Sequence, residues 1–567
     1  MASSSRSTRS MRHDGALKRV TSTCKSVLDL QSTVLVHEDA MPAAGASSAD
    51  DDFVDAAVPV FVMLPLDTVY KQQSSEGGPQ RTVLKTPKNL MKALQRLKAA
   101  GVKGVMVDVW WSMVEHVPVQ YNFDAYLELL DMAAHVGLKV QCVMSFHAAG
   151  GNVGDNVNIP LPDWVLKVGE QDNPDIFYTD ASGFHNPECI SLGCDDEPVL
   201  EGRTPMQVYR QFVDAFLSAT EGYLGWVVSE ITVGLGPAGE LRYPSYPEGD
   251  GRWRFPGIGE FQCYDRYMLD DLRSAARAVG RPEWGHGGPH DSGNYTKCPW
   301  ETGFFHPNHG SYKTDYGDFF LSWYSGLLIR HGDRMLDVVG GLIRERCPQF
   351  PPAEPWDATA APTNDAAVGA GAGLGFPAAI RCVHNDGSTT VKHLEEVKVG
   401  VKLAGVHWWY RSQSHAGELT AGYYNVPGRD GYKDIMAMLK RHGAVVNFTA
   451  VEMRDCEQPD YAKCSPQGLL AQLQEAATGE DIPLSGENAL QRYDKFALDQ
   501  IEHVSYGEEP SGAHGGVGHP ALKQLTFLRM GQPMFDNWDA FESFIARMNR
   551  KLPREVSEAG KISLQQG

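Results

Sequence analysis

The sequence predicts an α/β protein built as a (β/α)8 TIM barrel, with long loops after the strands forming an active-site face and a lid. Eight candidate strands alternate with helical stretches along the 567-residue chain. Most of these strands are continuously apolar, which is typical of strands buried on both faces of a parallel sheet. Polar side chains also follow the strand ends, where barrels of this class build their sites. Strand counting alone leaves a doubly wound parallel sheet open as an alternative.

The strand candidates are apolar runs rich in β-branched residues. In chain order they are residues 58–64, 102–110, 138–146, 224–233, a weaker one near Trp284, 401–409, 444–449 and 482–488. Residues 87–100 carry their leucines on one helical face and stop before Gly101. Asp124 is predicted to cap a second helix that runs through Ala134 and ends at Gly137.

Charge and cysteine content exclude several classes of protein. The chain has 51 Lys and Arg against 71 Asp and Glu, a net charge of −20, which argues against nucleic acid or an anionic membrane as partner. No run approaches 18 apolar residues, so no membrane span is predicted. The 10 cysteines show neither C-x-x-C pairs nor zinc-site spacing, which favours a reduced, cytosolic or stromal protein.

The chain is predicted to contain one large domain between two terminal segments. Residues 1–55 are rich in Ser, Thr, Arg and Lys early on and lack an apolar signal core, so they are interpreted as an organelle transit peptide or disordered extension. The alternative is a disordered cytosolic tail. Residues 56–553 form the predicted barrel domain, with a low-complexity insertion at about 351–391 rich in Ala, Gly and Pro, and residues 554–567 form a tail.

The segment GLGPAG, residues 234–239, matches the G-x-G-x-x-G pattern of a dinucleotide-binding loop. That pattern requires a helix directly after it, whereas Pro244 and Pro247 follow here and oppose helix formation. The oxidoreductase interpretation therefore fails. What remains is a strand that ends in a tight turn and presents Glu240.

Carboxylates, amides, histidines and aromatic rings gather after the predicted strands. They include Asp108, Trp110, Trp111, His147, Asp155, Glu240, Lys402, His407, Trp408, Trp409, Thr449, Glu487 and Asn488. Aromatic rings stack on sugar faces, polar groups orient hydroxyls, and a pair of carboxyl groups can cleave a glycosidic bond. Glu240 and Glu487 are the candidates for that pair. Each residue alone also has a structural interpretation: a solvated or capping carboxylate, a core histidine, or, for about half of the tryptophans, a core ring.

The order of these motifs resembles the β-amylases of glycoside hydrolase family 14. The matching stretches are VMLPLD, GVMVDVWW, SFHAAGGNVGD, GLGPAGELRYPSYP, GVHWWY, ELTAGYYN, NFTAVEMRD, ENALQRYD and FLRM. The similarity runs from about Val58 to about Met548, interrupted by the insertion.

The resemblance implies a barrel enzyme that removes β-maltose from non-reducing ends of α-1,4-glucans, with inversion. By motif, Glu240 is the general acid and Glu487 the general base. Asp155 lies on the lid and Thr449 on the inner loop. The remaining implied substrate-binding positions are Asp108, His147, Lys402, His407, Asn488, Ala489 and Arg529. The implied partners are starch and maltooligosaccharides, and no metal or organic cofactor is required. The implied location is the plastid stroma, with the cytoplasm as alternative.

Inversion by one water displacement needs roughly 6.5–9.5 Å between the two carboxyl groups. Glu240 has to carry a proton, so an apolar and water-poor setting is expected for it, and Glu487 is expected to be ionised. The main rival is a non-catalytic glucan-binding, regulatory member of the family. The presence of Glu240, Glu487, Asp155 and Thr449 favours an active enzyme.

Overall fold

Eight parallel strands close into a barrel in the computed structural model, which describes residues 33–35, 53–55, 57–72, 81–152, 155, 157–346, 379–383, 389–507 and 522–553. The strands are β1 (Val60–Met63), β2 (Gly104–Trp110), β3 (Lys139–Ser145), β4 (Val228–Val233), β5 (Lys398–Leu403), β6 (Val445–Thr449), β7 (Leu484–Glu487) and β8 (Leu525–Phe527). Each pairs in parallel with its neighbours in chain order, and β8 pairs with β1 to close the ring.

A major helix follows each strand, as the (β/α)8 architecture requires. These helices are α1 (Pro87–Ala99), α2 (Asp124–Val136), α3 (Pro205–Ala219), α4 (Asp315–Arg346), α5 (Lys433–His442), α6 (Pro466–Gly479), α7 (Lys495–Tyr506) and α8 (Trp538–Met548). The expected fold class is therefore confirmed.

The loops carry additional short elements. Further helices are Trp111–Val114, Asp163–Lys167, Arg266–Ala278, Ala416–Ala421 and Gln532–Asp536. Three antiparallel strand pairs lie outside the barrel: Val69–Gln72 with Arg81–Leu84, Phe177–Thr179 with His185–Ile190, and Phe53–Asp55 with Lys551–Pro553. A small three-stranded antiparallel sheet has Ala379–Val383 in its centre, between Thr33–Leu35 and Thr389–His393. No helix among the described ranges is long and apolar enough to cross a membrane.

Seven of the eight predicted strands are present, and the weak candidate near Trp284 is wrong. The predicted strand 401–409 is shifted: β5 is Lys398–Leu403, and residues 404–409 form a loop and turn. Residues Pro282–His286 form a 3-10 helix instead, because Pro282 cannot donate to a strand ladder. The Trp284 ring packs against Phe319 of α4, with 5.2 Å between ring centroids. The eighth barrel strand is β8, whose three residues are too short a run to stand out in the sequence.

The predicted helices are confirmed with small changes at their ends. The first helix ends at Ala99, one residue before the predicted end. Asp124 is the first residue of α2, while Phe123 occupies the cap position. Gly137 ends α2 with φ 80°, a left-handed conformation that glycine adopts without strain. Most of residues 351–391 lies outside the described residues, so the nature of the insertion, like that of segments 1–55 and 554–567, stays a prediction.

Candidate active site

A cavity of about 360 Å³ opens at the carboxyl ends of the barrel strands. All eleven predicted site residues line it: Asp108, His147, Asp155, Glu240, Lys402, His407, Thr449, Glu487, Asn488, Ala489 and Arg529. They come from seven different strand ends, β2 to β8, which meet only because the barrel closes. The roles assigned to these residues are developed below as proposals.

Glu240 lies at the cavity because β4 ends in a tight turn. Gly234 leaves the strand where an added Cβ would lie 2.1 Å from the Met144 carbonyl oxygen, so a side chain cannot be accommodated there. A short 3-10 turn, Pro237–Gly239, then reverses the chain, with Gly239 at φ 76°. Glu240 follows in an extended conformation and pairs with β5 through the amide of Leu241, which donates to the Lys402 carbonyl oxygen at 2.9 Å. The glycine-rich segment thus serves the carboxylate.

The surroundings of Glu240 are buried but ionic, so the expected apolar setting is wrong. The Arg242 Nε donates to Glu240 Oε2 at 2.6 Å, and the Arg242 guanidinium is itself buried. The other oxygen, Oε1, lies 3.3 Å from the Thr449 hydroxyl. Glu240 therefore has one oxygen held by a cation and the other held only by a weak hydrogen bond.

Arg242 is connected in turn to a second buried carboxyl group. Its Nη2 donates to Asn152 Oδ1 at 2.8 Å, and Asn152 Nδ2 donates to Glu188 Oε1 at 2.6 Å. Burial raises the pKa of Glu188 to about 7, although the Arg242 charge and the Asn152 hydrogen bond oppose that rise. The charge network thus extends from Glu240 to the strand His185–Ile190.

Glu487 ends β7 and forms a buried ion pair with Lys402 of β5. Lys402 Nζ lies 3.1 Å from Glu487 Oε1 and 2.8 Å from Oε2. Asn447 Nδ2 contacts Glu487 Oε2 at the longer distance of 3.4 Å. Both partners are almost fully enclosed, since the exposed side-chain fractions are 4% for Lys402 and 6% for Glu487. Lys402 therefore contacts the segments of both candidate carboxylates: its backbone carbonyl accepts from Leu241, the residue after Glu240, and its ammonium contacts Glu487.

Asp108 and His147 line the cavity from β2 and from the loop after β3. Ser145 donates to Asp108 Oδ1 at 2.9 Å; burial raises the pKa of Asp108, while the charges of Lys402 and Arg529 oppose that effect. Burial lowers the pKa of His147 to about 3, so its imidazole is neutral at physiological pH. Its Nδ1 is buried without a hydrogen-bond partner, as is Nη1 of Arg529. Such unsatisfied polar atoms at a cavity are suited to hydroxyl-bearing ligands.

Thr449 and His407 lie at the ends of β6 and beyond β5. The amide of Gly405 donates to Thr449 Oγ1 at 3.0 Å, and Ala450, the next residue, has φ 85°. A positive φ in a non-glycine residue is strained and is frequent at functional sites. His407 Nδ1 lies 2.9 Å from the Gly405 carbonyl oxygen, and burial lowers the pKa of this histidine.

The last predicted residues are held by loop backbone. Asp155 Oδ2 accepts from the amides of Gly150 and Asn152, at 2.7 and 3.0 Å. Asn488 donates to the carbonyl oxygens of Leu490 and Leu528. The Ala489 amide donates at 2.9 Å to Glu452, a buried carboxylate that also follows a predicted strand, although no role was assigned to it. Residues 153, 154 and 156 of the predicted lid lie outside the described residues.

Arg242, Asn152 and Glu188 are the main residues that the sequence analysis missed. Arg242 could have been found from its spacing, because residues i and i+2 of an extended segment lie on the same side. Glu188 gave no comparable signal, since it reaches the site from a hairpin remote in sequence. All four paired tryptophans are buried in the core, rather than the expected half; Trp110 and Trp408 also line the cavity, whereas Trp111 and Trp409 do not.

A parallel eight-stranded barrel with two buried carboxylates at one cavity, beyond strands three apart around the ring, is an arrangement that suits a glycoside hydrolase. The model of glycosyl hydrolase family 14 matches residues 61–344 and 384–552. The chain is 48% identical over 521 residues to beta-amylase 1, chloroplastic, of Oryza sativa subsp. japonica, covering 91% of this chain and 84% of the relative. It is 45% identical over 494 residues to beta-amylase 1, chloroplastic, of Arabidopsis thaliana (87% and 75% covered) and 42% identical over 509 residues to beta-amylase of Glycine max (89% of each).

The fold agrees with a solved relative. The catalytic domain of beta-amylase from Paenibacillus polymyxa superposes with a TM-score of 0.62 at 24% identity, covering 87% of this chain and 98% of that one. The chain belongs to glycosyl hydrolase family 14 and is a hydrolase of the β-amylase type.

Proposed function

We propose that this protein hydrolyses α-1,4-glucosidic bonds of starch and related glucans from their non-reducing ends and releases β-maltose. The observation that carries the proposal is the placement of Glu240 and Glu487 at one cavity, on β4 and β7, which are three strands apart around the barrel. The proposed exo action rests on the membership of the chain in the β-amylase type of hydrolase.

Glu240 is proposed as the general acid. Its Oε1, now 3.3 Å from the Thr449 hydroxyl, is the oxygen able to donate a proton to the glycosidic oxygen. As the proton leaves, the carboxylate that forms is stabilised by Arg242, whose Nε already contacts Oε2. The hydroxyl of Thr449 can then stabilise the second oxygen.

Glu487 is proposed as the general base. Its contacts with Lys402 and Asn447 hold the carboxylate on the opposite side of the cavity, where it can accept a proton from the attacking water. A single displacement by that water inverts the anomeric centre. His147, Asp108 and Arg529, which line the same cavity, are proposed to supply hydrogen-bonding groups for sugar hydroxyls.

The test compares purified parent protein with Glu240→Gln and Glu487→Gln, by proton NMR of the fresh products from soluble starch. Glu475→Gln, at an exposed position of α6, is the matched control. We expect β-maltose from the parent and the control, and a loss of roughly 100- to 10,000-fold in each active-site variant. Binding of maltooligosaccharides without hydrolysis by the parent would instead identify a glucan-binding regulator.

We also propose a plastid location. The relatives from Oryza sativa and Arabidopsis thaliana are named chloroplastic, and residues 1–55 have the composition of a transit peptide. A fluorescent reporter fused to residues 1–55 should enter plastids; a diffuse cytosolic signal would contradict the proposal.

A further inference from the structure

Three exposed aromatic residues lie in segments that contact one buried tryptophan, Trp409. Trp300 is 52% exposed, Tyr461 is 63% exposed and Phe255 is 39% exposed. Single exposed aromatics are common and need no explanation. These three are connected through Trp409, which is fully buried.

Trp409 makes a separate contact with the segment of each exposed ring. The Trp300 ring packs on the Trp409 ring at right angles, with 5.3 Å between centroids. The Trp409 indole N–H donates to the carbonyl oxygen of Pro256, the residue after Phe255. The Trp409 backbone amide donates at 2.9 Å to the carbonyl oxygen of Ala462, the residue after Tyr461.

This aromatic strip, defined as Phe255, Trp300 and Tyr461, is continuous with the candidate active site. Phe255 lines the cavity, and its ring lies 6.4 Å from those of both His407 and Trp408, which also line it. Trp300 and Tyr461 do not line the cavity. The strip therefore begins at the cavity mouth and continues onto the outer surface.

We propose that the aromatic strip binds the part of an α-glucan chain that extends out of the cavity. The inference rests on the proposed function, because it takes the α-glucan as substrate. Rings of tryptophan and tyrosine offer flat apolar faces to pyranose rings without requiring charge, which suits a neutral polymer. Buried Trp409 donates a hydrogen bond to each of the segments that carry Phe255 and Tyr461, and thereby holds these two segments beside each other.

The position of the strip outside the cavity determines which lengths of glucan it favours. Because Trp300 does not line the cavity, we expect a short oligosaccharide held within the cavity to make no contact with it, whereas a long chain contacts the cavity and the strip together. Two linked contacts on one ligand strengthen binding beyond either alone. The strip thus favours polymers over short oligosaccharides.

The experiment measures KM for amylose and for maltopentaose with the parent, Trp300→Ala and Trp300→Phe. Trp226→Ala is the matched control, because Trp226 precedes β4 and lies at the opposite end of the barrel. We expect the ratio of the two KM values to change by about tenfold in Trp300→Ala, equivalent to about 1.4 kcal/mol, through weaker binding of amylose. Trp300→Phe should restore part of the preference, and the control should keep the parental ratio.

A second readout separates binding from turnover. In the Glu240→Gln background, electrophoresis through a gel containing amylopectin should retard the single variant more than the double variant Glu240→Gln/Trp300→Ala. Equal retardation and an unchanged KM ratio, in a parent that hydrolyses starch, would overturn this inference while leaving the proposed function intact.

A change of oligomeric state in Trp300→Ala, with an unchanged KM ratio, would also overturn it, since the strip would then contact a second copy. A parent without starch hydrolysis would refute the proposed function, whereas the gel assay would still report on the strip.

Discussion

Glu188→Gln should make the stability of the protein less dependent on pH. Glu188 is buried and faces the charges of Arg242 and Asp155, and it accepts hydrogen bonds from Asn152 and the backbone of Ala238. Burial outweighs the favourable contacts and raises its pKa to about 7 from an ordinary value of 4.5. The folded state therefore holds a proton on Glu188 at pH values where the unfolded chain has released it.

The magnitude follows from the pKa difference between the two states. Because the pKa in the folded state is the higher one, stability contributed at low pH is lost as the pH rises from about 4.5 to about 7. At 1.36 kcal/mol per pH unit, the loss amounts to about 3 kcal/mol. Glutamine does not titrate and still offers a carbonyl oxygen to Asn152, so the variant avoids this loss.

The assay is thermal unfolding of parent and variant at several values between about pH 4.5 and pH 8. The melting temperature of Glu188→Gln should rise relative to the parent by about 3 °C across this interval, with most of the change below about pH 7. Glu475→Gln, on the surface of α6, controls for the loss of a charge. A difference between variant and parent that is constant with pH would refute the reasoning.

Three further predictions concern Arg242 and two glycines. Arg242→Leu should lower kcat on maltopentaose by about 100-fold with a smaller change in KM, because Glu240 loses the group that orients it. A kcat equal to that of the parent would contradict this prediction. Gly104→Ala should lower the free energy of unfolding by about 3 kcal/mol, because the added Cβ would lie 2.4 Å from the Lys139 carbonyl oxygen. An unchanged denaturation midpoint would contradict this prediction and show that β2 and β3 can separate to make room. Gly341→Ala in α4 should raise stability by about 0.5–1 kcal/mol, because an added Cβ meets nothing within 4 Å; a lower melting temperature would refute that account.

The barrel could be predicted largely because its strands are buried on both sides. A strand under helices shows as a continuous apolar run, and β2 and β3 show this over seven residues each. Strand β8 has only three residues, so its position depends on the ring closing between β7 and β1. That closure is a tertiary property and leaves little local signal.

The strand-end residues of the site were also predictable, whereas their partners were not. A parallel barrel gathers the carboxyl ends of its strands, so Glu487 and Lys402 had to lie near one cavity. The ionic surroundings of Glu240 were missed because they depend on the paths of two loops that bring Asn152 and Glu188 to Arg242. Contacts between loops are set by the whole fold and not by the spacing of residues in either segment.

Lys402 relates the two proposed reacting groups to one strand. Its carbonyl oxygen anchors the segment of Glu240, and its ammonium holds Glu487. The Glu240 turn and the Glu487 carboxylate are consequently both attached to β5 through one residue. Under the roles proposed above for Glu240 and Glu487, exchanging the outer loops among relatives should alter which glucans enter and how fast products leave, while the anomeric form of the product stays the same.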